Sequence, residues 1–220
     1  MSFDASDVLR EAKAFHGHVC PFLALGIRAS IIAMEKLKAR RVGTEESVTE
    51  DILAIIECNN CFADGVQIAT GCTLGNNSLV YFDLGKNALT LVRRGEWRGI
   101  RVYIDADALD KKYFPNEANE LFNKVVVRRQ GTEEDRKRLT EMWERIAYNM
   151  LEIPEDDFKI ETVDVNPIEQ APIFKNVRCS KCDELVMETR ASYVDGKPYC
   201  LKCAGKEYRA VIGRGIVEMG

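Results

Sequence analysis

The sequence predicts an α+β fold in which helices pack on a mainly antiparallel sheet, followed by a small cysteine-rich unit. Three observations predict this arrangement. The 220 residues are 46% hydrophobic, which is enough for one sizeable core. Segments with helical spacing of apolar residues occur before and after short β-rich runs joined by glycine-containing turns. Finally, four of the eight cysteines fall within the last forty-odd residues.

The first half of the chain carries clear start and stop signals. The predicted elements are helices over residues 5–15, 21–41 and 62–70, and a buried strand over 53–57. Asp4 or Ser2 can cap the first helix, and Pro21 suits the first position of the second. Gly43 is a plausible stop for that helix, and Gly71 for the third.

The sequence of the second half of the chain predicts a sheet, two further helices and a linker. β-rich runs over 79–83, 89–93 and 100–104 indicate an antiparallel meander, helices are expected over 116–126 and 133–150, and a last strand over 158–165. Thr132 can cap the longer helix. Pro167 and Pro172 indicate a linker over 166–177, so the predicted domains are 1–165 and 178–220.

Two C-x-x-C pairs lie in the second domain, Cys179/Cys182 and Cys200/Cys203, with seventeen residues between them. This spacing is typical of four thiolates around one structural Zn²⁺. Asp195-Gly196 favours a tight hairpin turn. A helix-like run over 200–208 completes a likeness to a treble-clef finger. Disulfides and unrelated buried thiols are the alternatives, but no export signal is evident, so we expect a cytoplasmic chain without membrane segments.

The charge of the chain argues against nucleic acid as its main partner. The formal net charge is −4, and residues 178–220 contain eight basic and six acidic side chains. A zinc tetrathiolate adds about two negative charges, so the module is nearly neutral. We therefore favour a structural or protein-contact role for the finger over nucleic-acid binding. Its apolar tail, 209–217, could pair with another strand across a dimer.

Both histidines of the chain lie beside a cysteine in the segment His16-Gly17-His18-Val19-Cys20. In an extended segment the side chains of residues 16, 18 and 20 point to one side, just ahead of a helix N-terminus. Such a trio can bind a soft or borderline divalent metal, or supply a base and a nucleophile. Histidines hydrogen-bonded in the core are the alternative.

A second group of polar residues follows the predicted buried strand. Cys58 and Cys61 have dithiol spacing, and they could bind a metal or cofactor, form a redox pair, or be structural thiols. Gly71 and Gly75 bound a loop that could approach a ligand closely. Asp105 and Asp107 could act as paired acids, although solvated turn residues are more common.

These motifs together resemble the FmdE family of formylmethanofuran dehydrogenase proteins. The resemblance rests on Phe15 to Pro21 continuing through Gly26-Ile27-Arg28, on Cys61-Phe62-Ala63-Asp64, and on Thr70 to Gly75. It implies an α+β core, a C-terminal treble-clef zinc finger, an intertwined homodimer, and a link to the molybdenum or tungsten enzyme that reduces CO₂ onto methanofuran. The residues it implies for the pocket are His16, His18, Cys20, Cys61, Asp64 and Cys72.

Our leading hypothesis is that the core binds a second divalent metal or a metal-linked cofactor, as an accessory or catalytic subunit in one-carbon or molybdoenzyme metabolism. Catalytic roles are expected for His16, His18, Cys61 and Asp64, cofactor contacts for Cys20, Cys72, Gly71 and Gly75, and metal ligation for His16, His18, Cys58 and Cys61. The rival hypothesis is a non-enzymatic zinc-finger regulator or scaffold that binds protein or nucleic acid. The sequence does not decide whether the chain is an enzyme.

Overall fold

The computed structural model describes residues 4–220, which form two compact units: one ends at Ile168, and the other is Glu169–Gly220. The division falls inside the predicted linker. Val165 and Ile168 belong to the first unit because they pack on the apolar residues Leu53, Ile55 and Val92. No helix within residues 4–220 is long and apolar enough to span a bilayer.

The first unit is α+β, as predicted. Its helices are α1 (Ala5–His16), α2 (Pro21–Leu37), α3 (Thr44–Thr49), α4 (Cys61–Thr70), α5 (Ala106–Tyr113), α6 (Asn116–Phe122) and α7 (Glu133–Leu151). Its strands are β1 (Ile52–Ile56), β2 (Leu79–Tyr81), β3 (Ala88–Arg93), β4 (Arg98–Ile104) and β5 (Phe158–Asp164). Asp4 caps α1 and Thr132 caps α7, both through side-chain acceptors. The alternative cap Ser2 lies outside the described residues.

The sheet has the order β2-β1-β3-β4-β5 and is mainly antiparallel. The predicted meander is only partly correct, because β2 pairs with β1 in parallel rather than with β3. The pairing is parallel because α4 lies in the connection between β1 and β2, so that β2 can run in the same direction as β1. A parallel neighbour needs such a crossover connection. β3, β4 and β5 do form successive antiparallel pairs.

Helices α2 and α4 pack with their backbones in close contact. A Cβ placed on Gly26 would lie 2.2 Å from the carbonyl oxygen of Phe62, and one on Gly65 would lie 2.2 Å from that of Leu23. Only glycine permits this approach at either position. The contact holds the two helices together close to Cys20, the N-cap of α2, and Cys61, the first residue of α4.

Three local predictions were wrong. Helix α2 ends at Leu37 rather than near Arg41, because Lys38 adopts a positive φ of 53°. Gly43 is the N-cap of α3, a helix that the sequence analysis missed, and not a stop. The Asp105 side chain accepts a hydrogen bond from the Ala108 amide and caps α5, which was also missed. Asp105 therefore has a structural role, which the sequence favoured over a paired acid with Asp107, although as a helix cap rather than a turn residue.

The second unit consists of three antiparallel hairpins. They pair β6 (Asn176–Arg178) with β7 (Leu185–Met187), β8 (Ala191–Val194) with β9 (Lys197–Cys200), and β10 (Tyr208–Ile212) with β11 (Gly215–Met219). Asp195 and Gly196 have positive φ and form the predicted tight turn. The helix predicted from Cys200 is not formed: residues 201–205 are turns, and the tail strands pair with each other.

Candidate metal centre and adjoining cavity

Two histidines and two cysteines converge in the core unit. Their ligand atoms, one each from His16, His18, Cys20 and Cys61, all lie within 4.8 Å of one another. His16 is the last residue of α1, and Gly17 turns the chain with a φ of 92°. Cys20 is the N-cap of α2 and Cys61 the first residue of α4. Three helix ends therefore bring the four side chains together.

Asp64 orients the His16 ring. Its Oδ2 lies 2.7 Å from Nδ1 of His16, and its Oδ1 accepts a hydrogen bond from Nε2 of Gln67 at 3.0 Å. Oε1 of Gln67 accepts in turn from the Leu74 amide. The other ring nitrogen, Nε2 of His16, is buried, and among residues 4–220 it has no hydrogen-bond partner. Since a buried polar nitrogen is rarely left unpaired, this atom suits metal coordination.

The donor set matches a borderline transition metal. Two imidazoles and two thiols suit tetrahedral Zn²⁺, for which thiolate ligands about 2.3 Å from the ion lie about 3.8 Å apart. The observed spacing, within 4.8 Å, needs only small side-chain movements to reach that geometry. The cluster of His16, His18, Cys20 and Cys61 can therefore hold one ion.

The thiols of the cluster differ in their tendency to ionise. A hydrogen bond from Cys20, followed by the charges of His16 and His18, lowers the pKa of Cys61 to about 6. The same hydrogen bond, together with burial, raises the pKa of Cys20. Burial opposes the charged form of His16, but the hydrogen bond to Asp64 and the Cys61 charge outweigh it and raise its pKa. Cys61 is thus the thiol of the pair that ionises more readily.

An open cavity of about 340 Å³ adjoins the two cysteines of the cluster. Its lining consists of Cys20, Pro21, Phe22, Asn60, Cys61, Asn87, Asp110, Phe114, Asn119, Phe122 and Trp143. Trp143 of α7 stacks on His18 with ring centroids 6.1 Å apart, and Phe122 lies 5.7 Å from Trp143. The aromatic wall is therefore continuous from the cavity to the cluster.

Several candidate residues lie away from this cluster. The Cys58 thiol donates to Oδ1 of Asn60, and burial raises its pKa to about 11, which disfavours a redox role at neutral pH. Cys72 is fully buried and its thiol is 3.7 Å from the Ile52 carbonyl. Gly71 caps α4 with its backbone against Val42, and not against the cavity.

The loop that contains Gly75 is held by its own hydrogen bonds. Oδ1 of Asn76 accepts from the amides of Thr73 and Ser78, and its Nδ2 donates to the Gly71 carbonyl. The loop contacts the site indirectly, through the bond between Leu74 and Gln67. The structure thus places the loop behind Asp64, where it supports the orientation of His16.

The second unit contains a separate cluster of four thiols. The Sγ atoms of Cys179, Cys182, Cys200 and Cys203 lie within 4.8 Å of one another. Backbone N–H groups, first that of Cys182, lower the pKa of Cys179 to about 6. Within Glu169–Gly220 only Cys179 and Gly215 are buried, so this unit has almost no apolar core. A bound ion is therefore expected to supply much of its stability.

Sequence reasoning did not find most of the cavity wall. Trp143, Phe122, Phe114, Asn87 and Asn119 come from four separate segments, none of which carries a local motif. One available signal was that Trp143 is one of only two tryptophans, placed on a helix with many charged residues. Cavity residues from distant segments can be identified only when the packing of the helices is known.

The fold and the two clusters define a class of protein: an α+β core with a histidine-cysteine site, followed by a four-cysteine zinc finger. A family model described as "FmdE, Molybdenum formylmethanofuran dehydrogenase operon" matches residues 15–159. The chain belongs to this FmdE family. A second model, "Prokaryotic dksA/traR C4-type zinc finger", matches residues 172–209.

Two individual proteins are similar to the chain. A "Probable S-adenosyl-L-methionine-binding protein" of Archaeoglobus fulgidus is 64% identical over 215 residues, which are 96% of this chain and 56% of that relative. The chain thus spans about half the length of that relative. A tungsten formylmethanofuran dehydrogenase FmdE-like protein from Syntrophus aciditrophicus has a TM-score of 0.60 at 23% identity, covering 93% of this chain and 94% of that one. This likeness supports the fold.

Proposed function

We propose that the core unit binds one divalent transition metal through His16, His18, Cys20 and Cys61, with Zn²⁺ as the best-fitting ion. The single observation that carries this proposal is the buried Nε2 of His16, which has no hydrogen-bond partner within residues 4–220 and whose ring is oriented by Asp64. An ion held by all four side chains has no open coordination position, so it would supply a Lewis acid beside the cavity only where one of the four ligands is displaced. Cys58 and Cys72 are left out of the ligand set because other groups contact their thiols.

The chain's own residues would do three things at this centre. Asp64 holds the His16 proton at Nδ1, which keeps Nε2 available for the ion. Trp143 limits the movement of the His18 ring by stacking on it. Phe22 and Phe122 line the side through which a ligand would approach, and restrict water there. The site is thus suited to a ligand that enters from the cavity and meets the cluster at the two cysteines.

We further propose a role in one-carbon metabolism of the formylmethanofuran dehydrogenase type, as an accessory or catalytic subunit. Membership of the FmdE family and the likeness to the tungsten formylmethanofuran dehydrogenase FmdE-like protein from Syntrophus aciditrophicus support this association. The partners proposed with it are the molybdenum or tungsten enzyme subunits and a second copy of this chain. Nearly half of the Archaeoglobus relative has no counterpart here, so its name alone does not place S-adenosyl-L-methionine in this core.

Metal content of the full chain, purified without chelators, tests the core site. We expect two ions per chain, and one ion per chain in the separate variants His18→Ala and Cys61→Ser. Cys58→Ala is the matched control, since Cys58 is a neighbouring cysteine outside the cluster, and it should retain two. Two ions in all variants, or one ion in the unaltered chain, would contradict the proposal.

The alternative role as a regulator makes an opposite prediction. A finger that binds nucleic acid should show affinity that falls steeply with salt, because phosphate contacts release counterions. The nearly balanced charges of residues 178–220 disfavour this behaviour. Salt-dependent binding to DNA or RNA, together with one ion per chain, would favour the regulator.

A further inference from the structure

The cavity beside the cluster has a lining whose chemistry selects its ligand. Four aromatic side chains, Phe22, Phe114, Phe122 and Trp143, form much of its wall. Flat walls of this kind favour a flat, apolar body, because ring stacking adds to the free energy of burying apolar surface. The volume of about 340 Å³ is at the small end of the range for ligand sites. A single ring or a small fused ring system suits this space.

The charge of the lining excludes one large class of ligands. None of the described residues that line the cavity is basic. Asp110 is its one carboxylate, and the Asn119 amide donates to Oδ2 of that carboxylate at 3.1 Å. Phosphate and carboxylate ligands would meet no basic side chain in this lining and would be repelled by Asp110, while a Zn²⁺ held by two thiolates and two imidazoles has no net charge to attract them. An uncharged ligand is therefore favoured over an anion.

Hydrogen bonds fix the orientation of the Asn87 side-chain amide. Oδ1 of Asn60 accepts from the Phe62 amide at the start of α4, so Nδ2 of Asn60 faces Asn87. It donates to Oδ1 of Asn87 at 2.9 Å. The remaining group of Asn87, its Nδ2, donates to no partner among residues 4–220. Because Asn87 lines the cavity, its Nδ2 is an amide donor that a ligand there could use.

A hydrogen bond also fixes the orientation of the Asn119 side-chain amide. Because an ionised carboxylate only accepts hydrogen bonds, Asn119 must present its Nδ2 to Asp110. Its Oδ1 then has no partner within the described part of the chain. The lining therefore includes an amide donor, Nδ2 of Asn87, and an amide acceptor, Oδ1 of Asn119, that are not used in these hydrogen bonds. An amide or lactam group carries the complementary acceptor and donor.

We infer that this cavity binds a planar, uncharged ring that bears an amide or lactam group, next to the proposed metal centre. The inference extends the proposed function and rests on it for the role of the ligand. The aromatic side chains would stack on the ring, while Asn87 and Asn119 would form hydrogen bonds with its amide. A carboxylate of the same shape has no N–H to donate to Asn119, and its negative charge is repelled by Asp110. An amidinium has no acceptor for the Asn87 amide.

Three isosteric probes test this inference: benzamide, benzoate and benzamidine at pH 7. Saturation-transfer NMR with the full, zinc-loaded chain measures their dissociation constants. We expect benzamide to bind at least tenfold more tightly than benzoate and more tightly than benzamidine. Equal or tighter binding of either charged probe, or no binding of all three, would overturn the inference.

Single variants then locate the contacts. Asn87→Leu and Asn119→Leu should each weaken benzamide binding about three- to tenfold, as expected for the loss of one hydrogen bond. Asn149→Leu, at an exposed position on α7, is the matched control and should leave it unchanged. If both lining variants bind benzamide like the control, the assigned contacts are wrong.

The metal content of the same samples separates the two proposals. Two ions per chain without a preference for benzamide would contradict only the ligand class. One ion per chain with a clear preference for benzamide would contradict the core metal and leave the ligand preference of the cavity standing.

Discussion

Oδ2 of Asp64 lies 2.7 Å from Nδ1 of His16, across 48 positions of sequence, and Nε2 of the same ring is buried with no hydrogen-bond partner in the described part of the chain. A carboxylate that holds one imidazole nitrogen fixes the tautomer and raises the basicity of the other. Asp64 thus orients the His16 ring as a metal ligand. The same contact links α1 to α4 at the point where the cluster forms.

The first prediction concerns this pair. Asp64→Asn removes the carboxylate charge while keeping the shape, and we expect core metal affinity to fall about 10- to 100-fold, as is usual for such supporting groups. Competition with a chelator of known affinity measures it. Asp107→Asn, at an exposed position on α5, is the control and should have no effect. Unchanged affinity in Asp64→Asn would show that the carboxylate does not support the ion.

The second prediction concerns the contact between α2 and α4. Gly26→Ala and Gly65→Ala each place a methyl group 2.2 Å from a backbone oxygen, so the helices must separate. We expect each to lower the free energy of unfolding by about 3 kcal/mol, at the upper end for overpacking. Urea unfolding of the chain measures it.

Gly75→Ala is the matched control for these two variants. A Cβ at Gly75 would meet no atom within 4 Å, and its φ lies outside the left-handed region. It should change stability by less than about 0.5 kcal/mol, as is usual for surface substitutions. A large loss there, or none at Gly26 and Gly65, would contradict the packing described above.

The third prediction concerns an ion pair on the sheet. Glu57 contacts Arg101 through two bonds of 2.6 and 2.9 Å, and their side chains are only 8% and 17% exposed. Glu57→Ala leaves a nearly buried guanidinium whose remaining acidic partner among residues 4–220 is Glu161. We expect a loss of about 3 kcal/mol in the free energy of unfolding.

An exposed pair provides the comparison. Glu96→Ala removes the partner of Arg93 in a pair that is 64% and 37% exposed. It should cost less than about 1 kcal/mol, because water screens the charges. Similar losses in Glu57→Ala and Glu96→Ala would show that burial does not strengthen the Glu57 pair.

The fourth prediction is a pH dependence from the cap of α7. Hydrogen bonds from Lys124 and from Thr132 lower the pKa of Asp135 from 3.8 to about 2. Because the folded pKa is the lower one, the stabilisation is complete above about pH 4 and is lost as the pH falls toward 2. Asp135→Asn should therefore flatten the decline in stability between pH 4 and 2. Urea midpoints across this range test it, with the neighbouring Glu134→Gln expected to retain the decline.

The fifth prediction concerns removal of zinc from the finger. With only two buried residues in Glu169–Gly220, chelation should unfold that unit and leave the core folded. Amide resonances of the finger should collapse to unfolded positions, while those of β3 and β4 keep their dispersion. Cys179→Ser should reproduce this state without chelator. A finger that stays folded without metal would contradict this account of its stability.

Local signals in the sequence determined much of this protein. The C-x-x-C spacing located the four-thiol cluster, because structural zinc sites typically take their ligands from closely spaced pairs of residues. The caps Asp4 and Thr132 and the stop Gly71 were readable, since a helix end is satisfied by residues within one turn. The α+β class and the FmdE resemblance, drawn from residues close together in the chain, were confirmed.

Only the tertiary structure decided which distant residues meet. The parallel placement of β2 and the contact of Gly26 with Phe62 depend on how whole segments pack, which leaves no local pattern. The same packing sets Trp143 against His18 and brings Asn87 to the cavity that Asn119 also lines. The sequence thus named the candidate ligands, while long-range packing chose among them and built the surroundings in which they would act.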